Sequence, residues 1–135
     1  MNYGRVTAKR PWSPLIGYSR AVRRGPLIEI GGTSATQQDG TVFAPGDPYE
    51  QTKHVFGVVI DAVRELGGQK SDIVRTRVFL TDISHWEQVG RAHGEFFADL
   101  LPASTFVEVS KLLLPELVIE IEATAYVLDG SAGQA

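Results

Sequence analysis

From Val118 to Val127 the chain alternates, with Val118, Glu120, Glu122, Thr124 and Tyr126 interleaved with Ile119, Ile121, Ala123, Ala125 and Val127. A period of two is that of a strand with one apolar face, so the opposite face presents two carboxylates and a phenol. A shorter run repeats the scheme, with Thr105, Val107 and Val109 on one side and Phe106, Glu108 and Ser110 on the other. Ile73–Leu80 predicts a third strand, with Val74, Thr76, Val78 and Leu80 on one face and Ile73, Arg75, Arg77 and Phe79 on the other. Two helical periods separate these strands from the N-terminal part. Asp47-Pro48-Tyr49-Glu50 combines a capping aspartate, a proline at the first helical position and an early glutamate. Behind it Val55, Val59, Ala62, Val63 and Leu66 recur at helical spacing until Gly67-Gly68. Ser84 and Glu87 fit a capping box for a second helix with Trp86, Val89, His93, Phe96, Phe97 and Leu100 as its buried stripe, ending before Pro102.

The N-terminal part is less regular. Residues 1–14 show no periodicity, and Pro11 and Pro14 predict an extended entry segment. Leu15–Val22 reads as a short strand in which Tyr18 and Arg20, two apart, share a face. A turn over Arg23-Arg24-Gly25-Pro26 leads to a strand Leu27–Ile30, making a hairpin that runs into Gly31-Gly32-Thr33-Ser34. Those glycines permit close approach of backbone to a ligand but lack the spacing of a nucleotide-binding loop. A loop of turn formers, Gln37 to Gly46, precedes the first helix, and residues 128–135 form a tail expected to fray.

The order strand, strand, helix, strand, helix, strand, strand predicts one α+β domain over residues 1–135, a single mixed sheet with both helices on one face. The uncovered face then carries Arg75, Arg77, Phe79, Glu108, Glu120, Glu122 and Tyr126. Charged and aromatic groups on such a face are tolerable when paired across a subunit interface, so self-association is expected.

Composition adds boundaries. A chain of 135 residues with 43% hydrophobic and 21% charged residues suits one folded domain. It has no apolar run of membrane-spanning length, and Met1–Arg10 lacks the apolar core of a secretory signal, so a soluble cytoplasmic protein without a membrane partner is expected. The absence of cysteine excludes disulfides, thiolate nucleophiles and cysteine metal sites. The net charge of -3 hides an asymmetry: Arg5, Lys9, Arg10, Arg20, Arg23 and Arg24 all precede the first acidic residue, Glu29. That segment is an anion-facing candidate, the alternative being a solvated face or pairing with distant glutamates. His54, His85 and His93 have no paired ligand spacing, and His93 lies on the apolar stripe, so neither a metal site nor a cofactor is expected. Ser104 has no identifiable base to make it a nucleophile.

Several stretches resemble one family: Tyr18 after Ile16-Gly17, the strand Asp72–Asp82, the Phe96-Phe97 helix end, Pro102-Ala103-Ser104-Thr105-Phe106-Val107-Glu108-Val109, and Ile119-Glu120-Ile121-Glu122-Ala123. From Leu15 to Val127 the chain resembles the Rid family (YjgF/YER057c/UK114, reactive intermediate deaminase-like). The resemblance implies a chorismate-mutase-like α+β fold of the bacillar type, assembled as a homotrimer with a central barrel and three clefts between neighbouring subunits. The best-known branch hydrolyses enamine and imine intermediates to ammonia and a 2-keto acid. That chemistry wants a guanidinium for the substrate carboxylate and a second carboxylate to position water. Where that branch has its arginine, after Pro-Ala, this chain has Ser104. Its cysteine position is Phe106, and its helical asparagine aligns with Gly90. The chain thus resembles a branch lacking the substrate-anchoring arginine.

The retained positions are Tyr18, Glu120 and the Gly32-Thr33 turn, and Arg20, beside Tyr18, can replace the missing cation. Glu120 is therefore the candidate catalytic residue, with Tyr18, Arg20, Gly32, Thr33, Ser104 and Phe106 as candidate ligand-binding residues. The competing readings are Glu120 paired with Arg75 or Arg77 inside a trimer and Tyr18 as a cap on the barrel edge, while Glu122 and Glu108 read as structural. The expected function is hydrolysis of a small imine, enamine or related C–N species with altered specificity. The alternative is a non-catalytic trimeric protein binding a small ligand. Endoribonuclease activity, a label some family members carry, ranks last and nucleic acid is not an expected partner, because the basic segment comes without an identifiable acid–base pair.

Overall fold

A computed structural model describes residues 3–128. The alternating segments become strands of one six-stranded sheet: β1 (Tyr3–Thr7), β2 (Ser19–Arg24), β3 (Leu27–Ser34), β4 (Ile73–Leu80), β5 (Ala103–Glu108) and β6 (Ile119–Tyr126). Their order is β1-β2-β3-β6-β4-β5, with only β4 and β5 parallel. A short helix α1 (Ser13–Ile16) precedes β2, and the two main helices are α2 (Pro48–Glu65) and α3 (Trp86–Phe97). The domain is thus the expected α+β arrangement of a mixed sheet and two main helices. Among the described residues no helix is long and apolar enough to cross a membrane.

The core face of the sheet follows from the alternation of β6. Ile119, Ile121, Ala123 and Ala125 are fully buried, and in register beside them stand Ile28 and Ile30 of β3 and Thr76, Val78 and Leu80 of β4. Val55, Phe56, Val59 and Val63 of α2 close over this face, and Phe56 meets Phe97 of α3 edge-on at 5.1 Å. Asp47 caps α2 by accepting from the Glu50 N–H at 3.0 Å.

Gln51 is a polar member of this core. Its amide donates to the carbonyls of Ala44 (3.0 Å) and Glu116 (2.9 Å), while its side-chain oxygen accepts from the Val118 N–H (3.0 Å). One fully buried side chain thereby ties the loop before α2 to the segment that enters β6.

Several local expectations are corrected. Leu15–Val22 is not one strand: Pro14 starts a helical turn, which Gly17 ends at φ 77°, its N–H bonding the Ser13 carbonyl at 2.8 Å. The strand then starts at Ser19 and runs through Arg24. Tyr3–Thr7 forms an edge strand on β2 that no apolar period announced, since its residues alternate between exposed and half-buried. In β4 a register shift between Ile73 and Arg75 turns Ile73 into the core and leaves Val74 50% exposed. The capping box at Ser84 and Glu87 is replaced by Asp82, which accepts from the Ser84 N–H at 2.9 Å and caps a tight turn ahead of α3. Trp86, at the first position of α3, and Leu100, beyond its end, are exposed rather than buried. Glu108 stands beside Leu80, on the helix-facing side of β5, and accepts from the Ile83 N–H, so it does not join the open face. Apart from Leu128, the expected tail lies outside the described residues.

Removing the Gln51 amide leaves the buried Val118 N–H without a partner, at a cost of about 1–3 kcal/mol, while the Ala44 and Glu116 carbonyls keep the N–H groups of Asp47 and Gly46. Gln51→Leu is therefore expected to lower unfolding stability by about 1–3 kcal/mol, read as a fall in the urea midpoint at unchanged m-value. A midpoint equal to that of the natural chain would remove the clamp from the account of this fold.

Candidate ligand pocket

The open face of the sheet is shaped by an irregularity in β3. Its register against β6 shifts between Ile30 and Thr33, which places the two glycines Gly31 and Gly32 in a bulge. A Cβ on Gly32 would overlap the Glu120 carboxylate, so only glycine leaves room for that side chain to lie against the backbone. Glu120 itself is set by the β6 alternation, between Ser34 and Phe79 on the neighbouring strands.

A pocket of about 270 Å³ opens over this point, lined by Trp12, Tyr18, Arg20, Gly32, Ser34 and Glu120, with Leu113 at its rim side. Arg20 is only 5% exposed, and one terminal nitrogen donates to the Gly32 carbonyl (2.8 Å) and to the Thr33 hydroxyl (3.2 Å). Its remaining donors have no assigned partner among the described residues. Its guanidinium carbon lies 5.8 Å from the centre of the Tyr18 ring. The Tyr18 oxygen accepts from the Trp12 indole N–H at 3.1 Å, which leaves the phenolic proton free to be donated.

Glu120 is half-buried and has no hydrogen-bond or ion-pair partner among the described residues. Burial raises its pKa above the ordinary glutamate value; the Arg20 charge opposes that shift and the Glu122 charge adds to it. Glu122 is the carboxylate that takes an arginine, lying 3.7 Å from Arg77, while Arg75 donates to the Thr105 hydroxyl at 2.9 Å. Pairing of Glu120 with Arg75 or Arg77 is therefore absent within the protomer.

The structure brings Tyr18, Arg20, Gly32 and Glu120 together around this pocket. Thr33 is fully buried behind it, its hydroxyl accepting from Arg20 and donating to the Gly31 carbonyl at 2.8 Å, so it holds Arg20 rather than lining the space. Ser104 and Phe106 lie apart, on β5 at the other end of the sheet. Ser104 bonds the Thr76 hydroxyl at 2.7 Å, Thr76 bonds His93 Nε2 at 2.9 Å, and the Phe106 ring stands 5.8 Å from the His93 ring. Trp12 and Ser34 were not singled out in the sequence. Ser34 had a signal, its two-residue spacing from Gly32 along a strand, whereas Trp12 lies in a segment with no period. No cluster of three or more His, Asp or Glu side chains able to hold a metal occurs among the described residues.

Comparison with known proteins agrees with this architecture. The family model described as Endoribonuclease L-PSP matches residues 7–127. SCO2049 of Streptomyces coelicolor is 36% identical over 122 residues, covering 90% of each chain. The solved structure of Rv2704 of Mycobacterium tuberculosis, described as a member of the YjgF/YER057c/UK114 family, has a TM-score of 0.83 at 37% identity and covers 93% of this chain and 99% of its own. YyfA of Yersinia pestis, described as a Rid-family protein of unknown function, has a TM-score of 0.80 at 28% identity, with 93% and 99% covered.

The raised pKa of Glu120 fixes the sign of a stability effect. Its folded-state value lies above the unfolded one, so the native state binds the proton more tightly and loses stability as pH rises through the folded value. The cost is absent below the unfolded value and complete above the folded one. Glu120→Gln is expected to stabilise the protein at pH 7 and to leave it unchanged near pH 3, as read from urea midpoints at both. An equal gain at the two pH values would contradict the assignment.

Proposed function

The chain belongs to the Endoribonuclease L-PSP family, also called the YjgF/YER057c/UK114 or Rid family, and we propose that it hydrolyses a small imine, enamine or related C–N species in clefts between the subunits of a homotrimer. The observation that carries this reading is the unpaired, half-buried Glu120 carboxyl sharing a pocket with the buried Arg20 guanidinium and the Tyr18 hydroxyl.

Hydrolysis of an imine consumes one water. The Glu120 carboxylate accepts a proton as the water oxygen adds to the C=N carbon. The nitrogen gains a proton, and the resulting carbinolamine collapses to a carbonyl compound and ammonia. A carboxyl that must first accept and then return a proton works best with a pKa moved toward the working pH, the direction in which burial moves Glu120. Arg20 has donors left for an anionic group of the substrate, and Tyr18 has a proton to donate. Ser104 supplies a hydroxyl but no charge where the related deaminases have arginine. Specificity then shifts either to substrates held by Arg20 or to ones without a carboxylate.

Exposed apolar groups beside the pocket support assembly. Leu15 is 90%, Ile16 61% and Leu113 62% exposed, a cost that a neighbouring subunit removes. RNA cleavage fits less well. The pocket has the size of a small molecule, and Arg20 is the single cation lining it among the described residues.

The test generates 2-iminobutyrate or 2-iminopropionate in situ and follows its loss. We expect slow turnover by the natural chain, at least about tenfold faster turnover by Ser104→Arg, because a charge-assisted pair to the carboxylate contributes about 1.5–3 kcal/mol, and none by Glu120→Ala. A natural rate unaffected by Glu120→Ala would sink the proposal. Saturable ligand binding without turnover of any imine would return the protein to the non-catalytic reading. Arg20→Ala is expected to weaken ligand binding, and unchanged affinity would rule out Arg20 as the replacement cation. Sedimentation velocity is expected to give a trimer, and a monomer at micromolar concentration would count against inter-subunit clefts.

A further inference from the structure

The sheet is wider than its helical cover. α2 packs against β2, β3 and β6, and β1 at the edge extends past it. Between β1, the segment after β3 and the flank of α2 lies a second cavity of about 500 Å³, larger than the pocket over Glu120. Arg5, Lys9, Arg10 and Arg20 border it, together with His54. The basic asymmetry of the N-terminal sequence thus converges on one space, with Arg23 and Arg24 excluded from it.

Two of these cations are fixed in place. Arg10 donates to the Thr36 hydroxyl (3.0 Å) and carbonyl (2.8 Å) and to the carbonyls of Ala8 (3.1 Å) and Lys9 (3.0 Å). Arg20 is held by Gly32 and Thr33. All their assigned acceptors are neutral, and none of the four cations lies within 4.0 Å of a carboxylate among the described residues. Asp61 and Glu65 on α2 also border the cavity, and Asp61 lies 4.0 Å from Arg64. Four cations against two carboxylates leave an excess of two positive charges. Burial lowers the Arg10 pKa, and the Arg20 charge lowers it further, so two guanidiniums sit close together, neither in an ion pair among the described residues. The His54 ring is stacked on Phe43 at 4.5 Å, which fixes its orientation at the cavity wall. Lys9 adopts a positive φ of 57°, an uncommon conformation for a non-glycine residue. A preorganised, partly enclosed cavity with this charge excess is matched by a dianion.

We propose that the cavity between β1 and α2 binds a small dianion of the phosphate-monoester class, its phosphate oxygens set against Lys9, Arg10 and Arg20. The site is separate from the Glu120 pocket and does not depend on the imine chemistry. It shares only the wall residues Arg20 and Thr36 with that pocket.

Titration of the full chain with inorganic phosphate and with phenyl phosphate, followed by ¹H–¹⁵N NMR, tests this. Saturable shifts are expected at Lys9, Arg10, Gln37, Gln38 and His54, with phenyl phosphate binding more tightly because the cavity also holds Val6 and Val58. Lys9→Glu reverses one exposed charge that makes no side-chain hydrogen bond, and it should weaken phosphate binding about tenfold or more. Leu113→Ala, whose exposed side chain borders the other pocket and not this cavity, should leave the affinity within about twofold. Unsaturable shifts spread over Arg24 and Arg64, an affinity unchanged by Lys9→Glu, or binding lost with Leu113→Ala would each overturn the proposal.

Discussion

The close approach of the Glu120 carboxylate to the Gly32 backbone is the contact on which the rest of the candidate site depends. It requires a bulge that brings a glycine under β6, and the same bulge aims the Gly32 carbonyl at Arg20. One irregularity in one strand therefore places an acceptor for the guanidinium and clears space for the carboxylate. The two charges remain close enough to influence each other but do not join in an ion pair. A direct pair would neutralise both groups and lower the carboxyl pKa. Held apart, both face one pocket with hydrogen-bonding capacity unused among the described residues.

The parts of this arrangement that were legible in the sequence are those with a strict period. The β6 alternation gave the core face and the open face residue by residue, and the α2 spacing gave the helix with its Asp47 cap. The same rule failed where geometry departs from ideal pleating. The shift at Ile73 and Arg75 exchanges the faces of Ile73 and Val74, and no local pattern in Asp72-Ile73-Val74-Arg75 marks it. Glu108 is expected on the open face, but the alternation of β5 only separates Glu108 from Val107, and which of them faces the helices is decided by the parallel pairing of β5 with β4. Tyr18 and Arg20 were expected to be neighbours because of a strand that does not exist at Tyr18. They meet because the α1 turn folds Tyr18 back beside β2.

Charge was legible as an excess but not as a set of partners. Arg23 is 3% exposed and donates to the carbonyls of Gly25 and Leu66, sealing the end of α2, and Arg24 covers the Tyr3 ring at 4.1 Å. These are packing roles, in which planar guanidinium groups satisfy backbone acceptors at the sheet edge. Only a subset of the basic segment borders the outer cavity, and burial separates the subset from the rest better than sequence position does.

Ser104 illustrates what a linear reading cannot supply. No base was identifiable near it in the sequence, yet Thr76 links it to His93, a residue 11 positions before Ser104 and on another element. Burial lowers the His93 pKa, favouring the neutral ring with one donor and one acceptor nitrogen. With Thr76 donating to Ser104 at 2.7 Å, the Thr76 oxygen is left to accept from His93, which requires the tautomer protonated at Nε2. The Ser104 hydroxyl, already accepting, keeps its own proton to donate, on an exposed position of the edge strand β5. Ser104 thus belongs to a chain of neutral hydrogen-bonding groups that joins β5, β4 and α3.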